Sequence, residues 1–312
     1  MPEKLITPVL FLIFNRPENT QLVFNEIRKA APEKLFIAAD GPRASRPGET
    51  EKCELTRRVI DQIDWPCEVF TLIRDQNLGC RVAVSSAIDW FFENVEEGII
   101  LEDDCLPDQS FFWFCQELLE KYRNDSRIMH ITGSNHQYGR KRGDASYYFS
   151  RIPHVWGWAT WRRAWDLYDV NMASFPEFVR SNKIADVFKG EKVQKEWIKV
   201  MYRIYNGHNT WDYQWSYTNF IHNSLCIIPN VNLISNIGFG IDSTHPTDPT
   251  DKLANTPTES INEIIHPTEF VADMDADYFS NTEVFNPPSI STRIKNRLRR
   301  AVYQIKLYAR HK

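Results

Sequence analysis

Gly98-Ile99-Ile100-Leu101-Glu102-Asp103-Asp104 is the stretch on which the reading of this 312-residue chain turns. A short apolar run that closes on three consecutive carboxylates predicts a buried strand delivering its acids to the edge of a sheet. Two carboxylates about 4 Å apart repel by roughly 4 kcal/mol at an effective dielectric of about 20, so three in succession call for a compensating cation. A hard divalent ion, held by one or two carboxylates and completed by phosphate oxygens and water, meets that need and predicts Mg²⁺ or Mn²⁺. An exposed acidic turn is the competing explanation.

Upstream, three further β-rich runs alternate with amphipathic segments of helical length. The runs are Val9 to Phe14, Leu35 to Ala39 and Val69 to Ile73; the segments are Glu18 to Ala30, Glu49 to Ile63 and Arg81 to Asn94. This alternation predicts an α/β fold, a mostly parallel sheet with helices on both faces. Ligands of such sheets bind where the strands end. The strand exits read Asn15-Arg16-Pro17, Asp40-Gly41-Pro42-Arg43, Arg74 to Arg81 and Glu102-Asp103-Asp104, polar and charged at all four. Turn chemistry explains any one of them alone.

The second half is less regular. Trp-rich loops are expected there, with helices near Phe175 to Phe188 and Lys192 to Tyr205, the Trp211 to Asn223 segment, and wrapping or loop from Thr244 to Phe285. The expected organisation is a nucleotide-sugar part over 1–132, an acceptor-side and catalytic part of the same domain over 133–290, and a basic amphipathic helix over 291–312.

Seven of the ten Trp lie between Trp156 and Trp215. Indole faces suit the aliphatic face of a sugar and the indole N–H suits its hydroxyls, although a Trp-rich core is the simpler account of any single ring. In Trp156-Gly157-Trp158 the glycine would let backbone approach a ligand closely. Asp212, between Trp211 and Tyr213, sits where desolvation would raise its proton affinity and suit a general base; capping of the following helix is the alternative. His245, after a Gly-containing loop, is a candidate for metal or phosphate, or an ordinary surface histidine.

The strand ending in Glu-Asp-Asp, followed by the apolar Ser110-Phe111-Phe112-Trp113-Phe114, resembles the DxD region of GT-A glycosyltransferases, most closely the N-acetylglucosaminyltransferase I type. That resemblance implies a GT-A, Rossmann-like fold with a Trp-rich acceptor-side half. It implies Asp104 as the metal ligand, Glu102 and Asp103 near the ribose, Arg16 near the diphosphate and Asp40 at the uracil. Asn77 and Arg81 fall, more loosely, where the family makes further nucleotide contacts. The segment Trp156-Gly157-Trp158 is similar to the one that frames donor sugar and acceptor, and Trp211-Asp212-Tyr213-Gln214-Trp215 to the setting of the catalytic Asp. The implied activity is metal-dependent, inverting transfer of a sugar from a UDP-sugar to a glycan or lipid-linked glycan hydroxyl. The rivals are a sugar-phosphate nucleotidyltransferase, whose Gly-rich signature is missing from Asn15 to Thr20, and a non-catalytic carbohydrate-binding protein.

The net charge of −4 argues against a general nucleic-acid binder, but it is a sum of unlike parts. The last 22 residues carry eight Lys or Arg and no acid, and their apolar positions fall on one helical face, so a peripheral anionic membrane contact competes with ordinary packing. The longest apolar run is far short of the roughly 20 residues that span a bilayer, and its flanks lack a signal-peptide cleavage site. Six Cys without CxxC spacing predict reduced thiols and a cytoplasmic protein.

Overall fold

The computed structural model describes residues 4–240 and 250–285. Strands and helices alternate through the first third: β1 (Val9–Ile13), α1 (Pro17–Ala30), β2 (Lys34–Ala39), α2 (Glu49–Arg57), β3 (Glu68–Ile73), α3 (Gly79–Asn94) and β4 (Glu97–Glu102). Pro17 opens α1, where its missing N–H costs nothing, and Ala31 closes it in a left-handed conformation. The helix expected over 49–63 is α2 followed by a tighter 3₁₀ turn over Arg58–Gln62.

The chain continues through β5 (Cys105–Pro107), α4 (Gln109–Tyr122), β6 (Ile128–Thr132), β7 (Tyr147–Ser150), β8 (Trp158–Trp161) and α5 (Arg162–Trp165). Next come α6 (Phe175–Arg180), α7 (Ile184–Val187), α8 (Glu191–Tyr205), α9 (Asp212–Ile221), β9 (Leu225–Pro229), β10 (Ile234–Asn236) and α10 (Met274–Phe279). Three expectations are corrected here. The helix over 175–188 is two short helices parted at Asn182, whose φ is +53°. Within the Trp-rich stretch expected as loops, Trp158–Trp161 is strand β8, and the segment expected as wrapping contains α10. The tail helix of 291–312 and His245 lie outside the described residues.

Eight strands form one sheet in the order β3-β2-β1-β4-β8-β6-β9-β7. Neighbours pair in parallel from β3 to β4 and between β6 and β9, whereas β8 and β7 run against their neighbours. Side chains alternate across the sheet as the pleat requires. Val9, Phe11 and Ile13 join Leu35, Ile37, Ile99 and Leu101 under α1 and α4, while Leu10, Leu12, Phe36 and Ile100 meet Ala87, Ile88 and Phe91 of α3. The result is the α/β sheet covered on both faces that the alternation predicts. Helices α6 to α9 add a third apolar cluster around Trp197, Met201 and Phe220.

Because β8 is antiparallel, Trp158 at its start lies beside Ile100 near the end of β4 and Thr132 at the end of β6. The segment before it, Trp156-Gly157, is thereby brought to the edge where the parallel strands finish. The six Cys are free and four are buried. Among the described residues, no helix is long and apolar enough to cross a membrane.

Candidate active site

A cavity of about 550 Å³ opens at this edge, in the range of small-molecule and cofactor sites. Its floor is the acidic turn after β4. Asp103 is 6% exposed; its carboxylate accepts the Phe14 N–H at 3.2 Å and Nη1 of Arg16 at 3.1 Å. The same Nη1 stands 2.7 Å from Oδ2 of Asp104. Burial pushes Asp103 up to about 6, with Arg16 working against the shift and Asp104 adding to it. Glu102 is raised well above the carboxylate range by burial first, then by the charges of Asp104, Asp103 and Asp212. Burial opposes the charge on Arg16, yet the carboxylates outweigh it and raise this guanidinium above its ordinary value.

One wall comes from the exits of β2 and β3. Asp40 accepts N–H bonds from Gly41 at 2.9 Å, Leu78 at 3.0 Å and Gly79 at 3.3 Å, and a bond from Asn77 Nδ2 at 2.8 Å. This carboxylate therefore satisfies first-turn donors that α3 cannot satisfy itself. Gly41 makes the approach sterically feasible, since a Cβ there would stand 2.3 Å from the backbone of Gln76.

The opposite wall is the loop between α8 and α9. Asn209 Oδ1 accepts the Arg81 N–H at 3.0 Å, which seats this loop on the start of α3. Asp212, first residue of α9, lines the cavity and accepts the Thr210 hydroxyl. Its charge is felt at Glu102 and at Cys80, whose thiol is pushed up to about 12, chiefly by burial.

The far side is the loop after β10. Ile237 donates its N–H to the Asp104 carbonyl at 2.8 Å, and Gly238 packs on the Asp104 side chain. Phe239 meets Trp156 edge to face at 5.7 Å, and both line the cavity.

The cavity brings together Arg16, Asp40, Asn77, Glu102, Asp103, Asp104, Trp156, Trp211 and Asp212. Three of the expected residues are not brought to it. Arg81 turns its guanidinium to the Val170 carbonyl and the Asn171 side chain. Gly157, with φ +61°, makes its close approach to Ile234: a Cβ would lie 2.4 Å from that side chain. Trp158 is wholly buried, stacked between His130 at 5.1 Å and Trp211 at 5.6 Å. Trp211, though a wall residue, is only 2% exposed. Most of the Trp excess is thus core, built by Trp158, Trp165, Trp211 and Trp215.

Arg43, His208, Asn209, Gly238 and Phe239 also line the cavity; sequence reasoning gave none of them a role and passed over His208 and Asn209 altogether. Arg43 and Gly238 stood in loops that patterning had marked. Asn209 carried no local signal, because its partner lies 128 residues away.

Carboxylate oxygens lining a cavity suit a hard divalent ion. The Arg16 guanidinium already rests on the Asp103 and Asp104 oxygens, which marks the position as one that attracts a cation. Among the described residues, no three His, Cys, Asp or Glu side chains converge as a closed metal cage. A site that uses one carboxylate and borrows phosphate oxygens needs none, and Asp104 fits that arrangement.

No family model matches the chain, and no curated protein matches it. Solved structures do. UDP-glucose pyrophosphorylase complexed with UDP-glucose is similar over 52% of this chain and 78% of its own, at 12% identity and a TM-score of 0.34. The apo form of a UDP-glucose pyrophosphorylase is similar over 74% of this chain and 93% of its own, at 10% identity and a TM-score of 0.40. TarS 1-349 from S. aureus is similar over 72% of this chain, at 7% identity and a TM-score of 0.39; the match spans 58% of that chain.

Proposed function

We propose that this protein is a glycosyltransferase that moves a sugar from a nucleoside-diphosphate donor, a UDP-sugar by the sequence resemblance, to a hydroxyl of a glycan or lipid-linked glycan. The observation that carries the reading is the meeting, in one cavity, of the Glu102-Asp103-Asp104 turn with Asp212 from the far half of the chain. The turn supplies a cation-attracting floor for a diphosphate. Asp212 supplies a base on the opposite wall.

In this mechanism the Asp212 carboxylate takes the proton of the acceptor hydroxyl while the acceptor oxygen attacks the anomeric carbon. The bond from that carbon to the diphosphate oxygen breaks, the nucleoside diphosphate leaves with the bonding pair, and the anomeric centre is inverted. Thr210, bonded to Asp212, holds the carboxylate in place. Asp104 would hold Mn²⁺ or Mg²⁺, which when bound offsets charge on the departing diphosphate. Trp156 and Phe239 offer an apolar face to a sugar ring, and Asp40 and Asn77 shape the nucleoside end. A cytoplasmic enzyme, peripheral on the membrane through the basic tail, would suit a lipid-linked acceptor.

The test is a panel of nucleotide sugars with and without Mn²⁺, monitored for nucleoside-diphosphate release. Release that needs Mn²⁺ and is lost in Asp104→Asn and Asp212→Asn is the expected result. Near-normal turnover in both variants would overturn the mechanism. Nucleoside triphosphate formed from pyrophosphate and nucleotide sugar would instead identify a nucleotidyltransferase, and glycan binding indifferent to nucleotide and chelator a binding protein.

A further inference from the structure

One cationic wall residue has no part in the mechanism above. Arg43, on the loop after β2, lines the cavity with its side chain 36% exposed. It is held by Glu49, which is 5% exposed. A buried carboxylate is costly unless donors saturate it. Glu49 accepts the Arg43 N–H at 2.7 Å, Arg43 Nε at 2.9 Å and Asn15 Nδ2 at 2.9 Å, and also bonds Arg43 Nη2. Those bonds from Arg43, ahead of the opposing effect of burial, hold the Glu49 carboxyl below its ordinary range.

The consequence for Arg43 is geometric. Its Nε and Nη2 edge is committed to Glu49, and its guanidinium carbon stands 5.5 Å from the centroid of the Phe14 ring. Nη1 makes no hydrogen bond among the described residues. A planar guanidinium fixed along one edge keeps its remaining N–H groups for a second acceptor at little further entropic cost. Glu49 cancels the net charge of the pair, so Arg43 acts as a fixed, charge-assisted donor.

Position selects the acceptor. Asn15, the other donor to Glu49, precedes Arg16, so one buried carboxylate ties Arg43 to the strand exit whose next residue holds Asp103 and Asp104. Bonds from an arginine to an anionic oxygen are about twice as strong as neutral ones. We propose that Arg43 is a phosphate-binding residue of the donor site, preorganised by Glu49, an inference that rests on the nucleotide-sugar reading of the cavity.

Calorimetric titration with uridine, UMP and UDP, in Mn²⁺, tests it on Arg43→Gln and on Arg43→Lys, which keeps a charge opposite Glu49 should the first variant not fold. Expected is a loss of UDP affinity of about tenfold or more with uridine affinity within about twofold of the wild type. Unchanged UDP affinity in a folded variant overturns the proposal. An equal fall for uridine also overturns it, by placing the contact at base or ribose. If wild-type protein binds uridine, UMP and UDP alike without gain from the phosphates, the phosphate role fails while a nucleoside site stands. If it binds none of them, the nucleotide-sugar reading fails and takes this one with it.

Discussion

A Cβ on Gly238 would stand 2.2 Å from Oδ2 of Asp104 and 2.8 Å from its Cβ. The loop after β10 therefore fixes the rotamer of the candidate metal ligand by contact, and no residue with a side chain fits without moving one of the two. Gly238→Ala is expected to retain the fold, because the loop lies at the surface of the cavity, yet to weaken Mn²⁺-dependent UDP binding by about tenfold or more, the scale of displacing one charge-assisted contact. Titration of UDP in Mn²⁺ and in EDTA measures this. Equal affinity of variant and wild type in Mn²⁺ would show that Asp104 need not be held where it is.

Asp40 gathers the N–H groups at the start of α3. Asp40→Ala leaves donors of Leu78 and Gly79 with water or nothing. Leu78 is 45% exposed, so water can take over its N–H, and the cost is about 1 kcal/mol, the scale of a lost helix cap. Faster amide exchange at Leu78 and Gly79 should accompany a lower urea midpoint, with Asp40→Asn intermediate because one acceptor oxygen remains. Unaltered exchange at both amides would assign Asp40 to ligand contact alone.

Two Trp residues that look alike in sequence should part company in experiment. Trp158 is wholly buried, and its replacement by Ala should cost about 3–5 kcal/mol, as for other large-to-small core changes. Trp156 lines the cavity against Phe239, so Trp156→Ala should lose transfer to acceptor while moving the thermal midpoint far less. A stability loss at Trp156 equal to that at Trp158 would place both in the core.

How much of this was legible follows the range of the interactions. The first four strands and their helices are local patterns, and the strand exits that line the cavity were visible as charged breaks in apolar runs. Strand β8 was not. It has four residues, Trp158 to Trp161, all buried, so it shows no alternation and reads like any apolar fragment. Placing Trp158 in the core and Trp156 at the cavity required knowing that β8 runs backwards between two parallel strands. The seating of Asn209 on α3, and the role of Glu49 beneath Arg43, depend on partners that composition cannot name.

Burial also sets a pH dependence. His136, edge-on to His154 at 4.3 Å between ring centroids, is pushed down by burial from 6.5 to about 4, and His130 to about 3. An imidazole with a lower folded-state than unfolded-state pKa adds stability above the unfolded value and loses it as pH falls from about 6.5 towards 4. For His136 the loss between pH 7.5 and 5 is about 2 kcal/mol. Asp277, raised to about 6 by burial, works in the other sense, since its folded state gives up stability as pH rises through that value. Asp103 and Glu102, raised by burial like Asp277, act in the same sense, so the histidine contribution is read by difference: His136→Phe should lose less of its denaturant midpoint than the wild type between pH 7.5 and 5. Parallel curves for the two proteins would show that His136 does not set this dependence.

The interposed strand β8 bears on how the chain is made. Synthesis delivers β4 and β6 before β8, yet β8 is the strand that joins them. At about 5–20 residues per second, the edge of β4 stays unpaired on the ribosome for roughly 3 to 12 seconds after it emerges. A long unpaired apolar edge is a template for misassociation. Protection of a nascent chain from its neighbours is therefore needed over residues 103–161 for β4, and for longer still for β6 and β7, whose partner β9 is made only at Leu225–Pro229, so a pause in translation before that point would lengthen the hazard.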